Sequence, residues 1–263
     1  MKPLATLTPG EASRLSGVLF DLDDTLLTHG VLTRAAYGAL WDLREAGLQL
    51  VAVTGRPSGW GEVVARQWPI EAAVTENGAV VIARERGAVR VIDACSGEER
   101  RRRRVRLAAL IERVREIVPE ARLADDVGAR TSDVTWDIGE SVRLPEDRVQ
   151  MIAGEIARAK AHSTRSSVHL HASYDTHDKA SGSIGWLSKA FGVDPGSALS
   201  RYAFVGDSGN DRACFSAFHT TFGVANVVAA AAQLPVLPRY VSRAKMGEGF
   251  AEIARALLAA RAK

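Results

Sequence analysis

Short apolar runs that end in polar turns recur along this chain, separated by stretches with helical spacing. Residues 18–21 run apolar straight into an acidic cluster, as a buried parallel strand does. Residues 48–53, 72–75, 202–205 and 222–226 repeat that pattern, and a last short strand is expected near 240–241. Between them, residues 33–46 predict a helix capped by Thr33 and stopped by Gly47, with Leu40 and Leu43 on its buried side. Further helices are expected at 61–67, 180–191, 210–218 and 249–261. Strand alternating with helix predicts an α/β fold, a doubly wound parallel sheet with right-handed crossovers. Residues 1–16, with Pro3, Pro9 and Gly10, read as a loosely held arm.

The rhythm changes in the middle. The separation of Thr54 from Lys179 far exceeds what one or two crossover units need. Residues 83–176 therefore read as an inserted α+β module, and 1–82 with 177–263 as the core. Within the insert, 89–92 predicts a short strand. Ser96-Gly97-Glu98-Glu99 has the capping-box pattern and opens a helix to about Val118. Its apolar stripe comprises Leu107, Leu110, Ile111, Val114, Ile117 and Val118. Residues 131–138 and 167–173 alternate like half-buried strands, and 145–162 predicts a second helix. The apolar faces of the two strands should pack on the two helices. Their polar faces, which carry Asp137, His169 and His171, should lie open toward the catalytic loops and suit a hydroxyl-rich ligand.

Composition changes this picture little. With 263 residues, 46% hydrophobic and 25% charged, the chain has the makings of an ordinary globular protein. A net charge of +3 is too small to argue for nucleic acid. The two cysteines, Cys95 and Cys214, have no metal-binding spacing and fit a reducing compartment. No segment reads as a signal peptide or membrane anchor, so the expected location is cytoplasmic, with no membrane partner.

Asp21 and Asp23 stand i, i+2 at the end of the first core strand, where open α/β sheets place ligands. Two carboxylates there call for a cation. Three more stretches follow in order: Val51-Ala52-Val53-Thr54-Gly55-Arg56, Asp178-Lys179, and Phe204-Val205-Gly206-Asp207-Ser208-Gly209-Asn210-Asp211. Together they resemble the four motifs of the haloacid dehalogenase superfamily of phosphohydrolases, over about residues 18–252. Glycine is commoner than Asp24 at its position in related sugar phosphatases, but that position is not catalytic. Only seven residues separate Leu26 from Arg34, so the extra module sits between the second and third motifs. This resembles the C2-type cap of the IIB-like subfamily, which includes sucrose-phosphate and mannosyl-3-phosphoglycerate phosphatases. The resemblance implies a Rossmann-like core and a phosphatase acting on a small phosphorylated metabolite, a sugar phosphate.

The chemistry follows from the residue types. Asp21, ionised at neutral pH, is the expected nucleophile of an aspartyl-phosphate route. Asp23 is the expected general acid and base. The resemblance adds that Asp23 binds metal through its backbone carbonyl. Asp21, Asp207 and one carbonyl would form a hard oxygen site suited to Mg²⁺. Asp211 is assigned to the metal's outer shell or to holding Lys179. Gly206 and Gly209 let the backbone pass close to the ion. Thr54, Gly55, Lys179 and Asn210 are the expected phosphate-binding groups.

Residues 100–104 and Arg106 form an arginine run. Successive helical residues fan about the axis, and no aromatic residue is interleaved, so a nucleic-acid site is disfavoured. Arg100, Arg103 and Arg104 continue the apolar stripe, so one of them could reach the cleft. A phosphosugar mutase, which needs a second phosphate site on the insert, is therefore the alternative function. His169 and His171 share a strand face, but no third ligand stands nearby in sequence to make a zinc site.

Overall fold

The computed structural model describes residues 1–166 and 168–262. The chain opens with β1 (Lys2–Pro3) and α1 (Pro9–Ser13). β2 (Gly17–Phe20), α2 (Arg34–Glu45), β3 (Gln49–Val53), α3 (Ser58–Gln67) and β4 (Ala72–Thr75) then alternate. A hairpin follows, β5 (Val80–Glu85) and β6 (Ala88–Asp93). Next come α4 (Gly97–Ile117), β7 (Arg122–Leu123), β8 (Asp133–Asp137), α5 (Glu146–Arg158), β9 (His162–Arg165) and β10 (His169–Ser173). The remainder is α6 (Lys179–Phe191), α7 (Pro195–Arg201), β11 (Tyr202–Gly206), α8 (Arg212–Ala217), β12 (Thr220–Gly223), α9 (Val227–Ala230), β13 (Tyr240–Val241) and α10 (Met246–Arg261).

The large sheet has the order β1-β13-β12-β11-β2-β3-β4-β5-β6. β1 through β4 in that order are parallel, and the β5–β6 hairpin extends them antiparallel. The chain moves from β2 outward through β3 and β4, then returns and moves the other way from β11. The direction of winding reverses between β2 and β11, and the crevice outside their carboxyl ends is where such sheets bind ligands. Apolar side chains on the two faces build separate cores, one with Phe20, Leu40 and Phe250, the other with Leu19, Trp186 and Phe204.

Four local expectations are corrected. The N-terminal arm is built in. Thr8 and Glu11 form a capping box for α1, Leu4, Leu7, Ala12 and Leu15 are buried, and Lys2 pairs with Tyr240. The strand at 89–92, assigned above to the insert, is β6 at the edge of the large sheet. The second insert helix stops at Arg158, because Lys160 turns left-handed at φ 53° and His162 starts a strand. The strand expected at 131–138 is confined to β8 and is buried on both faces, not half-buried.

The insert has its own antiparallel sheet, in the order β7-β8-β10-β9. His169 stands opposite Asp137 and His171 opposite Thr135. Ser167, expected to begin the last strand, lies outside the described residues. Val134, Trp136, Leu170 and Ala172 pack against Leu107, Leu110 and Val114 of α4 and Ile152 and Ile156 of α5, as the alternation predicts. Among the described residues, no helix is long and apolar enough to cross a membrane.

Candidate active site

The end of β2 delivers the first acids. Asp21 donates its backbone N–H to Val205 of β11 at 2.9 Å, which fixes it beside the reversal point. The turn beyond it is closed by Leu27 N–H donating to Leu22 O, and Leu22 and Leu26 are buried beneath. Asp24 takes the left-handed conformation, φ 54° and ψ 13°, where glycine is favoured. That is the physical reason glycine suits the position.

The second pair comes from β11 and the turn after it. Asp211 Oδ2 accepts from the backbone N–H of Asp207 at 2.9 Å and of Ser208 at 3.2 Å. A side chain at Gly206 would collide with that carboxylate, so the position is closed to larger residues. Lys179, first residue of α6, is aimed by the capping box of Asp178 and Ser181. Its Nζ donates to Asp21 Oδ1 at 2.8 Å, to Asp211 Oδ1 at 2.7 Å and to Asn210 Oδ1 at 3.3 Å. Burial works against the Lys179 ammonium, but Asp21 and Asp211 outweigh it and hold its pKa above the ordinary value. Burial pushes the Asp21 carboxyl well up, Lys179 pulls it back down, and the Asp211, Asp207 and Asp23 charges push it up further.

Among the described residues, Asp207 has no hydrogen-bonded cation of this kind. Its oxygens accept from Thr25 Oγ1 at 3.1 Å and Asn226 Nδ2 at 2.7 Å. Burial, then the Asp211 charge, pushes its pKa up to about 7. Carboxylate oxygens of Asp21, Asp207 and Asp211 all lie within 4.8 Å of one another. Three carboxylates gather here around one lysine, which pairs with Asp21 and Asp211 alone among them, so the site carries excess negative charge. A hard divalent cation such as Mg²⁺ fits this donor set and would relieve the repulsion.

The Thr54–Arg56 loop closes one side. Thr54 is buried, and its hydroxyl accepts from Arg56 N–H at 3.1 Å. Arg56 lies over the Trp60 ring at 4.1 Å and grips Asp23, with Nη2 2.6 Å from Oδ1 and Nε 3.0 Å from both oxygens. Asp23 is half exposed, while Asp21 is sealed. Asn210 is exposed at the surface of the cluster, and Ser208 Oγ donates to its carbonyl at 2.8 Å.

The polar residues of the insert sheet are not an open face. Asp133 and Thr135 are buried. His171 Nδ1 lies 2.9 Å from Thr135 Oγ1 and 3.0 Å from Asp133 Oδ2. Burial opposes the Asp133 charge, but His171 and Arg130 outweigh it and hold its carboxyl below the usual range. Asp137 accepts from four backbone N–H groups, those of Gly139, Glu140, Ser141 and Val142, so its carboxylate is consumed by its own turn. His169 Nε2 pairs with Glu140 at 2.7 Å. His169 and His171 keep partial exposure, with ring centroids 5.9 Å apart. Two surface cavities, of about 540 Å³ between α2 and α10 and about 340 Å³ between α4 and α5, lie away from all these groups.

Two members of the arginine run, Arg100 and Arg103, are spent on the two chain crossings. Arg100 pairs with Asp93 and with Asp175, both at 2.6 Å, and Arg103 reaches Asp175 at 2.7 Å. Arg104 Nη1 donates to Arg130 O at 2.7 Å.

The structure thus brings together Asp21, Asp23, Lys179, Asp207, Asn210 and Asp211, with the Thr54–Gly55 loop beside them. Sequence reasoning passed over Asn226, Arg56, Glu76 and Arg130. Asn226 Nδ2 also donates to Asp24 O at 3.0 Å, which ties two motif loops together. Arg56 lies within the Val51–Arg56 motif, where its place is legible but its partner is not.

A family model described as haloacid dehalogenase-like hydrolase matches residues 18–97. No curated protein matches the sequence. Among solved structures, a Thermoplasma acidophilum protein is 18% identical with a TM-score of 0.72, over 93% of this chain and 98% of that one. A haloacid dehalogenase-like hydrolase from Bacteroides thetaiotaomicron is 15% identical with a TM-score of 0.67, over 92% and 98%. The sucrose-phosphatase of a Synechocystis species, solved with sucrose and phosphate, is 13% identical with a TM-score of 0.63, over 92% and 98%. At these identities the likeness is one of fold.

Proposed function

We propose that this chain is a haloacid dehalogenase-like hydrolase and a Mg²⁺-dependent phosphatase of a small phosphorylated metabolite, a sugar phosphate, working through an aspartyl-phosphate. The observation that carries the reading is the convergence of Asp21, Lys179, Asp207 and Asp211 from three separate parts of the chain.

In this reading Asp21 Oδ attacks phosphorus, and the ester oxygen leaves with a proton from Asp23. Asp23, now a carboxylate, takes a proton from water, and that water attacks the phospho-aspartate. Inorganic phosphate leaves and Asp21 is restored. Lys179, with Thr54, Gly55 and Asn210, neutralises and orients the phosphate oxygens. Asp21, Asp207 and the Asp23 carbonyl would hold Mg²⁺, and Asp211 would hold Lys179 and the backbone of Asp207 in register. When bound, the cation would shield the attacking carboxylate from the phosphate charge. Arg56 grips Asp23 and must release it, or move with it, when the ester oxygen is protonated.

In this reading His169 and His171, partly exposed on the insert sheet, hydrogen-bond a sugar hydroxyl. The mutase alternative draws no support, because Arg100, Arg103 and Arg104 are engaged by Asp93, Asp175, Glu99 and backbone oxygen rather than free to bind a second phosphate. Cys95 and Cys214 are both unpaired, which accords with a cytoplasmic setting.

The test is phosphate release from a panel of sugar phosphates and p-nitrophenyl phosphate, with Mg²⁺ and with EDTA. Release that needs Mg²⁺ and favours sugar phosphates supports the reading. Release unaffected by EDTA, or better restored by zinc, contradicts the metal assignment.

A further inference from the structure

All three carbonyl oxygens of Thr54-Gly55-Arg56 are held. Thr54 O accepts from Asn77 N–H at 3.1 Å and Arg56 O from Glu76 N–H at 3.0 Å, both from the turn after β4. The middle one, Gly55 O, accepts from Arg130 Nη1 at 3.1 Å, and Arg130 belongs to the insert. Arg130 is buried and itself fixed, paired with Asp126 through two bonds of 3.0 Å and with Asp133 at 3.2 Å.

A second set of bonds seats the same segment. The buried Glu76 carboxylate accepts from Ser58 N–H at 2.9 Å on the core side. On the insert side it accepts from Thr131 N–H at 2.8 Å and Ser132 Oγ at 2.6 Å, and also from Ser132 N–H. Ser58 Oγ and Thr131 Oγ1 are 2.7 Å apart. Glu76 and Asn77 are held at φ 49° and 54°, unfavourable for residues with side chains, and such strain persists only where surroundings over-determine it. At the other end of the insert, Arg100 staples Asp93 to Asp175 and so ties its two crossings to each other.

We infer that residues 126–133 stay docked on the core throughout turnover, and that Arg130 and Glu76 are positioning residues for the phosphate-binding loop. The insert is then a fixed wall at this edge, and substrate enters elsewhere. Undocking would take three of its four donors from the buried Glu76 carboxylate and break the Arg130–Gly55 hydrogen bond that crosses to the core. The catalytic consequence rests on the phosphatase reading. The docking does not.

The pair Ser58→Cys/Thr131→Cys tests the docking directly. The disulfide should form readily, and oxidised and reduced enzyme should agree within about twofold in kcat and KM, since nothing that must move has been tied. Failure of the disulfide to form, or a loss beyond about tenfold that reductant reverses, overturns the inference. Amide exchange on the unmodified protein reads the same contact without activity. Thr131 and Ser132 N–H should exchange as slowly with orthovanadate bound as without it. Fast exchange there, with β4 and β8 still protected, overturns the docking even if the cysteine variant misfolds. Arg130→Lys keeps the charge but loses the fork. It should weaken inhibition by inorganic phosphate about tenfold while kcat falls less, because a loosened loop binds phosphate poorly. Unchanged phosphate inhibition would reduce Arg130 to a structural residue.

Discussion

Lys179 and Asp21 meet at 2.8 Å with both side chains sealed from solvent, one opening α6 and the other ending β2. The same ammonium holds Asp211 at 2.7 Å. One cation therefore serves two buried carboxylates, one at the end of β2 and the other in the turn after β11, its neighbour in the sheet.

Replacing that lysine should be costly twice over. Lys179→Met leaves Asp21 and Asp211 buried without their partner, and breaking a buried pair from one side costs about 3–5 kcal/mol. Phosphate release should fall by about 10²–10³ in kcat, the loss expected for one preorganised charge at a phosphoryl group. Thermal melts and steady-state phosphate release check both, and a stable variant with near-parental kcat would remove Lys179 from the site.

The strands that carry the chemistry were legible because buried parallel strands read as apolar runs, and Asp21 and Asp207 each end one. The contacts between insert and core were not, because each joins residues that are unremarkable alone and far apart in sequence. Glu76 lies in a short turn, and its donors Thr131 and Ser132 stand more than fifty positions on. β9 was missed because all four of its residues are exposed and show no apolar alternation. The N-terminal arm reads as a loop because of Pro3, Pro9 and Gly10, although Thr8 and Glu11 spell a capping box with Pro9 in its first turn. The polar faces of β8 and β10 were read correctly as polar and wrongly as open, since alternation reports side-chain type and not what covers it.

Asp207 makes metal-free stability depend on pH. Its folded pKa is raised to about 7 by burial, above the unfolded value of 3.8. The folded chain thus binds this proton more tightly, and the contribution is fully present below the unfolded pKa and lost as pH rises through about 7. In EDTA, Tm should fall more steeply for the parent than for Asp207→Asn across that window, and Mg²⁺ should recover the parent at its upper end. Parallel curves for the two proteins would contradict the assignment.

Asp137 and His169 should separate by the kind of damage they do. Asp137→Ala strips four backbone N–H groups of their acceptor, so it should lower Tm and affect all phosphate esters alike. His169→Ala should raise KM for the preferred sugar phosphate while sparing p-nitrophenyl phosphate. Equal effects of His169→Ala on both substrates would take the insert sheet out of substrate choice.

The general acid can be isolated through its partner. Arg56→Ala removes all three hydrogen bonds that orient the Asp23 carboxylate. It should lower kcat most for esters with poor leaving groups, which need the proton, and least for p-nitrophenyl phosphate, which does not. An equal loss on both would mean that Arg56 does not act through Asp23.

The central claim is that phosphorus passes through Asp21. Mixing enzyme with substrate, quenching in acid within one turnover and reducing with borohydride converts a phosphorylated aspartate to homoserine, which peptide mass spectrometry locates. Homoserine at position 21, absent without substrate and absent in Asp21→Asn, is the predicted result. Homoserine at another aspartate, or none while phosphate is being released, would contradict the account.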